Sequence, residues 1–531
     1  MIATSRHTFR WAVSLPLTMV CIAGLSATFG TAPSSAAAQS RSWTVYHGDP
    51  AGNGIASSVA TVDTTSRAWS SPALDGQLYG EPLVSAGRVY IATEDDTLYA
   101  LSSSSGSVIW ATHLGTPVPS GDLPCGDITP TVGITGTPVI DENRAEIFVV
   151  ADELVDGSPA HILIGVSTAS GKVEMTQDVD PSGADPGALL QRTGLTLDAG
   201  HVVFGLGGNY GDCASYRGRV VAASETGGTP SFFTVDAASG DSQGAIWMGG
   251  AAPAIDADGH IWVSVGNGSV YSSSHPYDDS DSALELSSSL ALLQYFAPAN
   301  WPQNNADDLD MSIAPALLSD GQVVLAGKSR IVYLLKSSDL GGIGGQQATL
   351  PSGCGDDIDG GTAVVGSTVY LPCLTGIIAV GVTQSPPALH IEWNSGVGGG
   401  PPIVAGGLIW TISQAGTLYG LDATTGKVQR QVSIGPSANH FPTPSIGDGY
   451  LLAADATHVV AFRTTSRPGS ATSGASGTAN ATHSGQHAAI AKPPTSTTLS
   501  SGVTAAITSG AILVLVLGAW LWWRRRHRRS M

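Results

Sequence analysis

Residues 87–110 read GRVYIATEDDTLYALSSSSGSVIW and residues 407–430 read GLIWTISQAGTLYGLDATTGKVQR, and the two align without a gap. Gly87 matches Gly407, Thr97 matches Thr417, Leu98 matches Leu418, Tyr99 matches Tyr419, Leu101 matches Leu421 and Gly106 matches Gly426. A unit that recurs so far along one chain implies an array, because one copy cannot bury its own apolar face. The unit predicts three short strands. Val89, Tyr90 and Ile91 form an apolar run that Asp95 and Asp96 break, Leu98 to Leu101 form a second, and Val108 to Trp110 begin a third after the Ser-Gly turn.

With the unit as a ruler, each copy opens on a small or polar residue, often Pro, before an apolar pair. Eight such openings occur, at 81–84, 137–140, 194–197, 252–255, 314–317, 362–365, 401–404 and 443–446. Their separation, roughly 40 to 60 residues, is that of a four-stranded propeller blade. The expected fold is therefore all-β, an eight-bladed β-propeller. The last copy has room for only three strands, and 64–74, with Trp69, precedes the first copy without a blade of its own. The ring is expected to close by pairing N-terminal and C-terminal strands, which leaves no free edge. The 67 glycines and the 12% of charged residues suit short strands and tight turns better than long amphipathic helices.

The ends of the chain differ from its body. Arg6 and Arg10 precede an apolar run from Trp11 to Leu25 and the small residues Ala36, Ala37 and Ala38, which reads as a signal peptide over 1–38. The propeller is assigned to 39–463. Residues 464–501 are a Ser/Thr/Ala/Gly/Pro stalk with no acidic residue, 502–523 form an apolar segment long enough to span a bilayer, and 524–531 form a tail with five arginines. The expectation is an exported, monomeric propeller held to the membrane by one C-terminal transmembrane helix. The chain carries a formal charge of -19; without the seven arginines of the leader and tail, 16 basic residues remain against 42 acidic ones. Such a body should repel nucleic acid. Beyond Cys21 in the leader, Cys125, Cys213, Cys354 and Cys373 allow three disulfide connectivities, and the repeat phase favours Cys125 with Cys213 and Cys354 with Cys373. No C-x-x-C pair or His at ligand spacing supports zinc.

Copies three and four carry long insertions, at 205–220 and 267–310. In the first, Asp212, Tyr216 and Arg217 offer charge and an aromatic face to a polar ligand. Near the end of the second, Asp308 and Asp310 at i and i+2 should point the same way on an extended segment, suited to holding Ca²⁺ or taking a proton from an alcohol; alternatively they cap the loop by accepting backbone N–H bonds. Asp256-Ala257-Asp258-Gly259 reads as a hairpin turn. His47, His161, His260 and His440 have no partner at ligand spacing and read as surface or packed residues.

The stretches LDATTGKV at 421–428 and VSTASGKV at 166–173 resemble the repeat of pyrroloquinoline quinone (PQQ)-like propellers. That superfamily includes quinoprotein alcohol dehydrogenases, polyvinyl alcohol dehydrogenases and the non-enzymatic assembly factor BamB, and the resemblance implies an eight-bladed ring over 43–463. DLDMSIAP at 308–315 resembles the D-x-D-x-x-x-x-P opening of a blade in the polyvinyl alcohol dehydrogenase-like branch, and GDCASYRG at 211–218 resembles a stretch of exported members. The quinoprotein enzymes place a Trp four residues after the turn Gly, where this chain has Trp110 but also Met175 and Arg430. The adjacent cysteine pair and C-x-x-C-H of the family's dehydrogenases are absent. The sequence thus favours a non-catalytic surface module that binds a protein or a cell-envelope polymer and needs no cofactor. The alternative is a PQQ- and Ca²⁺-dependent alcohol oxidoreductase with Asp308 or Asp310 as base. A flat aromatic floor with carboxylates converging on it would separate the second from the first.

Overall fold

The computed structural model describes residues 42–237 and 241–467. The chain divides into two units, 1–471, which holds the propeller, and 472–531, which lies outside the described residues. The leader at 1–38 and the transmembrane segment at 502–523 also fall outside them; among the described residues no helix is long and apolar enough to cross a membrane.

Eight sheets form the ring, antiparallel except for a short parallel edge strand on two of them. Blades 1 to 7 run over residues 83–113, 139–178, 196–234, 254–297, 316–351, 363–394 and 403–433, and blade 8 over 445–466. All eight openings read from the sequence hold the innermost strand of a blade. The ring closes as expected, with one extension. The last strand, Val459–Ser466, pairs with Trp69–Ser70 and also with Val59–Asp63, upstream of the segment singled out from sequence. The propeller therefore runs past Arg463, and Thr464 to Ser466, assigned to the stalk, are strand residues; their cross-strand partners include Thr61 and Val62, so a Thr-rich run is read as linker only until its pairing is known.

Burial within a blade falls from axis to rim. The second strand of blade 1, Arg88–Ala92, is buried at four of its five positions, because adjacent blades cover both faces. The outermost strand, Val108–His113, has no fully buried position. Tryptophans lock some blades together. Trp69, Trp110 and Trp393, on the outer strands of blades 8, 1 and 6, lie over the turn glycines Gly106, Gly171 and Gly426 of the next blade, where a methyl group would fall within 3 Å of indole carbons. Each indole N–H donates to a carbonyl of that same turn: Ser103 at 2.8 Å, Thr168 at 3.3 Å and Ala423 at 3.0 Å.

A segment just after the first described residue runs along the ring axis. Residues 43–54 run past the inner strands and hydrogen-bond to Val84, Ile140, Ile255, Val364 and Val404, in blades 1, 2, 4, 6 and 7. Tyr46 and His47 stack at 4.3 Å in this plug. Glu81 accepts the Trp43 indole N–H at 3.0 Å and the His47 backbone N–H at 2.8 Å. Burial holds His47 neutral, with its pKa lowered to about 4. The packed reading of His47 is correct. For three other histidines it is incomplete: His161 meets Asp152 and Asp180, His260 meets Glu285 and, four residues back, Asp256, and His440 meets Asp127.

Candidate functional site

The loops that follow the second strand of each blade, and those that lead into the next blade, gather at one end of the ring. There the two insertions meet. The helix Trp301–Asp307 ends on Asp308 in left-handed conformation (φ 59°), and this reversal sends Asp308 and Asp310 toward one cation. Lys328 Nζ lies 2.5 Å from Asp310 Oδ2 and 3.4 Å from Asp308 Oδ1. Asn267 completes the clamp, donating its backbone N–H to Asp310 Oδ1 and its side-chain N–H to Asp308 Oδ1, both at 2.6 Å. Gly266 is required here, since a Cβ would strike the Asp310 carboxylate and crowd the Trp247 indole nitrogen.

Lys328 also sits 5.6 Å from the centre of the Trp247 ring, which packs against Phe441 at 5.9 Å. On the far side of Phe441, the Arg192 guanidinium lies between Phe441 at 5.8 Å and Tyr79 at 5.7 Å, and donates to Asn439 Oδ1 at 2.8 Å. Among the described residues no carboxylate pairs with Arg192, although only 8% of it is exposed. The result is a floor of aromatic rings with a cation at each end.

Six carboxylates feel the charge of Lys328 or of one another around it: Asp212, Asp281, Asp308, Asp310, Asp357 and Asp359. Burial opposes the charge on Lys328, but Asp310 and Asp308 outweigh it and hold the ammonium well above its usual range. Partial desolvation by its surroundings raises Asp308 although its side chain stays largely exposed and Lys328 opposes the rise. Burial also raises Asp281 well above the carboxylate range, with Asp310 adding to it, and neither oxygen of this fully buried side chain has a partner.

Both sequence-derived groups thus reach the same place, but not all their members serve it. Asp308 and Asp310 converge as expected. Asp212 lies within electrostatic reach of both. Tyr216 does not offer an aromatic face: it is 7% exposed, packs with Phe204 and Leu206, and donates its hydroxyl to Asp212 at 2.6 Å. Arg217 turns along its own loop and donates to the Asp241 carbonyl at 2.9 Å. The disulfides are Cys125–Cys213 and Cys354–Cys373, as the repeat phase favoured; the first ties the 205–220 insertion to the loop after blade 1 instead of closing a hairpin within it. Asn267, Trp247, Lys328, Arg192 and Phe441 were missed. The one available signal was Lys328 itself, a basic residue directly after the buried run Val323 to Gly327.

The oxygen set suits a hard divalent cation. Asp308, Asp310 and Asn267 supply carboxylate and amide oxygens, and Asn267 Oδ1 is buried without a partner. The Trp247 and Phe441 rings are tilted by 49° to one another, so they offer two separate aromatic faces instead of one plane.

The family described as outer membrane protein assembly factor BamB, PQQ_2, matches residues 55–276. That match covers less than half of the chain and makes residues 55–276 similar to the PQQ-like family. Among solved structures, this propeller resembles a quinohemoprotein alcohol dehydrogenase from Pseudomonas putida HK5, at 13% identity and a TM-score of 0.59, over 80% of each chain. The quinohemoprotein alcohol dehydrogenase from Comamonas testosteroni follows at 16% identity and 0.57, over 80% of each chain. A europium-containing methanol dehydrogenase is 15% identical at 0.56, over 79% of this chain and 90% of that one. No curated protein matches the sequence. At these identities the propeller shares a fold with the dehydrogenases, and fold does not fix function.

Proposed function

We propose that this propeller is a quinone-dependent alcohol oxidoreductase, the alternative set out from the sequence. The observation that supports the reading is the convergence of Asp308 and Asp310 on Lys328, which lies over the Trp247 ring. Asp308, Asp310 and Asn267 would hold Ca²⁺, and Arg192 and Lys328 would meet the carboxylates of PQQ above Trp247 and Phe441. Bound there, the quinone would take two electrons from the alcohol carbon, with the cation as Lewis acid. Asp308 is the better proton acceptor of the pair. Its side chain is 74% exposed, whereas that of Asp310 is 10% exposed and already neutralised by Lys328 at 2.5 Å.

The scaffold reading retains one specific support. No adjacent cysteine pair borders the floor, and exposed Tyr210 (72%) and Tyr271 (60%) stand on the two insertions, ready for a protein or envelope polymer. In either case the two disulfides fit an exported protein, and we infer that the segment at 502–523 anchors it to the membrane.

Isothermal titration of the full-length protein with PQQ, with and without Ca²⁺, decides between the readings. Calcium-dependent binding tighter than about micromolar, with alcohol-dependent dye reduction that Asp308→Asn abolishes, is expected. Absence of heat at high PQQ concentration would leave the ring as a scaffold.

A further inference from the structure

A second group of ligand atoms lies outside the floor, in the body of blade 4. Asp256 follows its innermost strand, Ala254–Ile255, His260 precedes the second, Ile261–Val265, and Glu285 sits on the third, Ser282–Leu286, opposite Trp262 in the register. One oxygen from each carboxylate and one imidazole nitrogen lie within 4.8 Å of one another. His260 Nδ1 is 2.6 Å from Glu285 Oε1 and 3.7 Å from Asp256 Oδ2. We propose that Asp256, His260 and Glu285 form a binding site for a transition-metal divalent cation of the zinc class.

Three further observations point the same way. First, the carboxylates are held from outside the trio: the Trp262 indole N–H donates to Asp256 Oδ2 at 2.9 Å, and the Gln294 side chain donates to Glu285 Oε2 at 2.6 Å. Such outer donors orient metal-ligating carboxylates. Secondly, the negative charge is not neutralised by protein cations. Among the described residues neither Asp256 nor Glu285 pairs with lysine or arginine, and His260 serves both. Thirdly, Asp198, at the end of the innermost strand of blade 3, adds its charge to Asp256 across the seam and lies 3.7 Å from the position a Cβ would take on Gly259. It adds to the negative charge beside the trio.

The mixed nitrogen and oxygen donors select the metal class, since an imidazole favours zinc-like ions over calcium. Bonds of about 2.0–2.2 Å would require His260 Nδ1 and Glu285 Oε1 to part by less than about 1 Å. The metal would take the place of the proton those atoms share. It would also brace the hairpin next to Ile255, whose N–H binds the Pro50 carbonyl of the axial plug. The site does not depend on the floor being catalytic.

The test is metal analysis and Zn²⁺ titration of full-length protein stripped with chelator. About one equivalent is expected in the native protein and in Asp310→Asn, with at least a tenfold loss of affinity in His260→Gln and in Glu285→Gln. Zinc-edge anomalous scattering from crystals of the native protein would place the ion without relying on any variant. A native protein that takes up no zinc, affinity unchanged in both blade 4 variants, or an anomalous peak elsewhere would overturn the proposal.

Discussion

Gly407 and Gly426 stand in one blade, with φ of 78° and 67°, and both are matched in the repeat at 87–110, by Gly87 and Gly106. The structure gives them different reasons to be glycine. A Cβ on Gly407 meets nothing within 4 Å, whereas one on Gly426 would enter the Trp393 ring. Gly407→Ala therefore bears only the left-handed backbone penalty, about 1 kcal/mol, partly offset by lower entropy of the unfolded chain. Gly426→Ala bears that plus overpacking, about 1–3 kcal/mol more, because Trp393 is held by its bond to the Ala423 carbonyl and cannot withdraw without losing it. The same contrast is expected between Gly87→Ala and Gly106→Ala, where Trp69 is the obstacle. Differential scanning calorimetry should read it. For a ring of this size each kcal/mol shifts the midpoint by ~1–2 °C, so Gly426→Ala should melt several degrees below Gly407→Ala. Equal losses in both pairs would refute the argument that tryptophan docking fixes the second glycine.

Other consequences are open to measurement. Burial raises Glu94 to about 8, and burial with neighbouring carboxylates raises Asp96 to about 9 and Asp152 to about 7, so the folded state holds extra protons above the unfolded carboxylate range. Against burial, Asp152 and Asp180 raise His161 to about 9, a contribution present below its usual 6.5 and lost as pH rises through 9. Both effects have one sign: thermal stability should fall from pH 5 to pH 9, Asp96→Asn should flatten the curve at its alkaline end, and a midpoint rising with pH would contradict this. Removing Cys125–Cys213, which spans 88 residues, should cost about 4–5 kcal/mol, against about 3 kcal/mol for Cys354–Cys373, which spans 19; urea denaturation of the paired Ser variants compares them. Lys328→Gln should weaken PQQ binding at least tenfold in calorimetry while leaving the melting temperature within a few degrees, and undiminished binding would detach the lysine from the site.

The ring was legible because its signal is periodic. Eight openings, two aligned glycines and a chain end without a blade fix the blade count and the closure, and the same phase favours the cysteine pairing. The floor was legible only in part. Asp308 and Asp310 stand out as a local pair, but their partners Asn267, Lys328 and Trp247 come from other loops, and no local pattern connects them. Tyr216 shows the converse: its sequence neighbourhood suggests a ligand face, while the loop folds back to bury it against Phe204 and Leu206 of the strand just before it. The closing strand misled for a similar reason. Thr464 to Ser466 look like linker, and only pairing with Val59–Asp63 makes them part of a sheet.

The bonds from residues 43–54 to blades 1, 2, 4, 6 and 7 have a consequence for the history of such a ring. A repeat array joined only between neighbours can gain or lose a copy by duplication or deletion, and the remaining interfaces still match. Here one strap touches blades that are not adjacent, at fixed spacings along a dozen residues. A ring of seven or nine would leave several of those carbonyls and amides without partners at once. The plug acts as a template for ring size, so its sequence should change together with the number of blades.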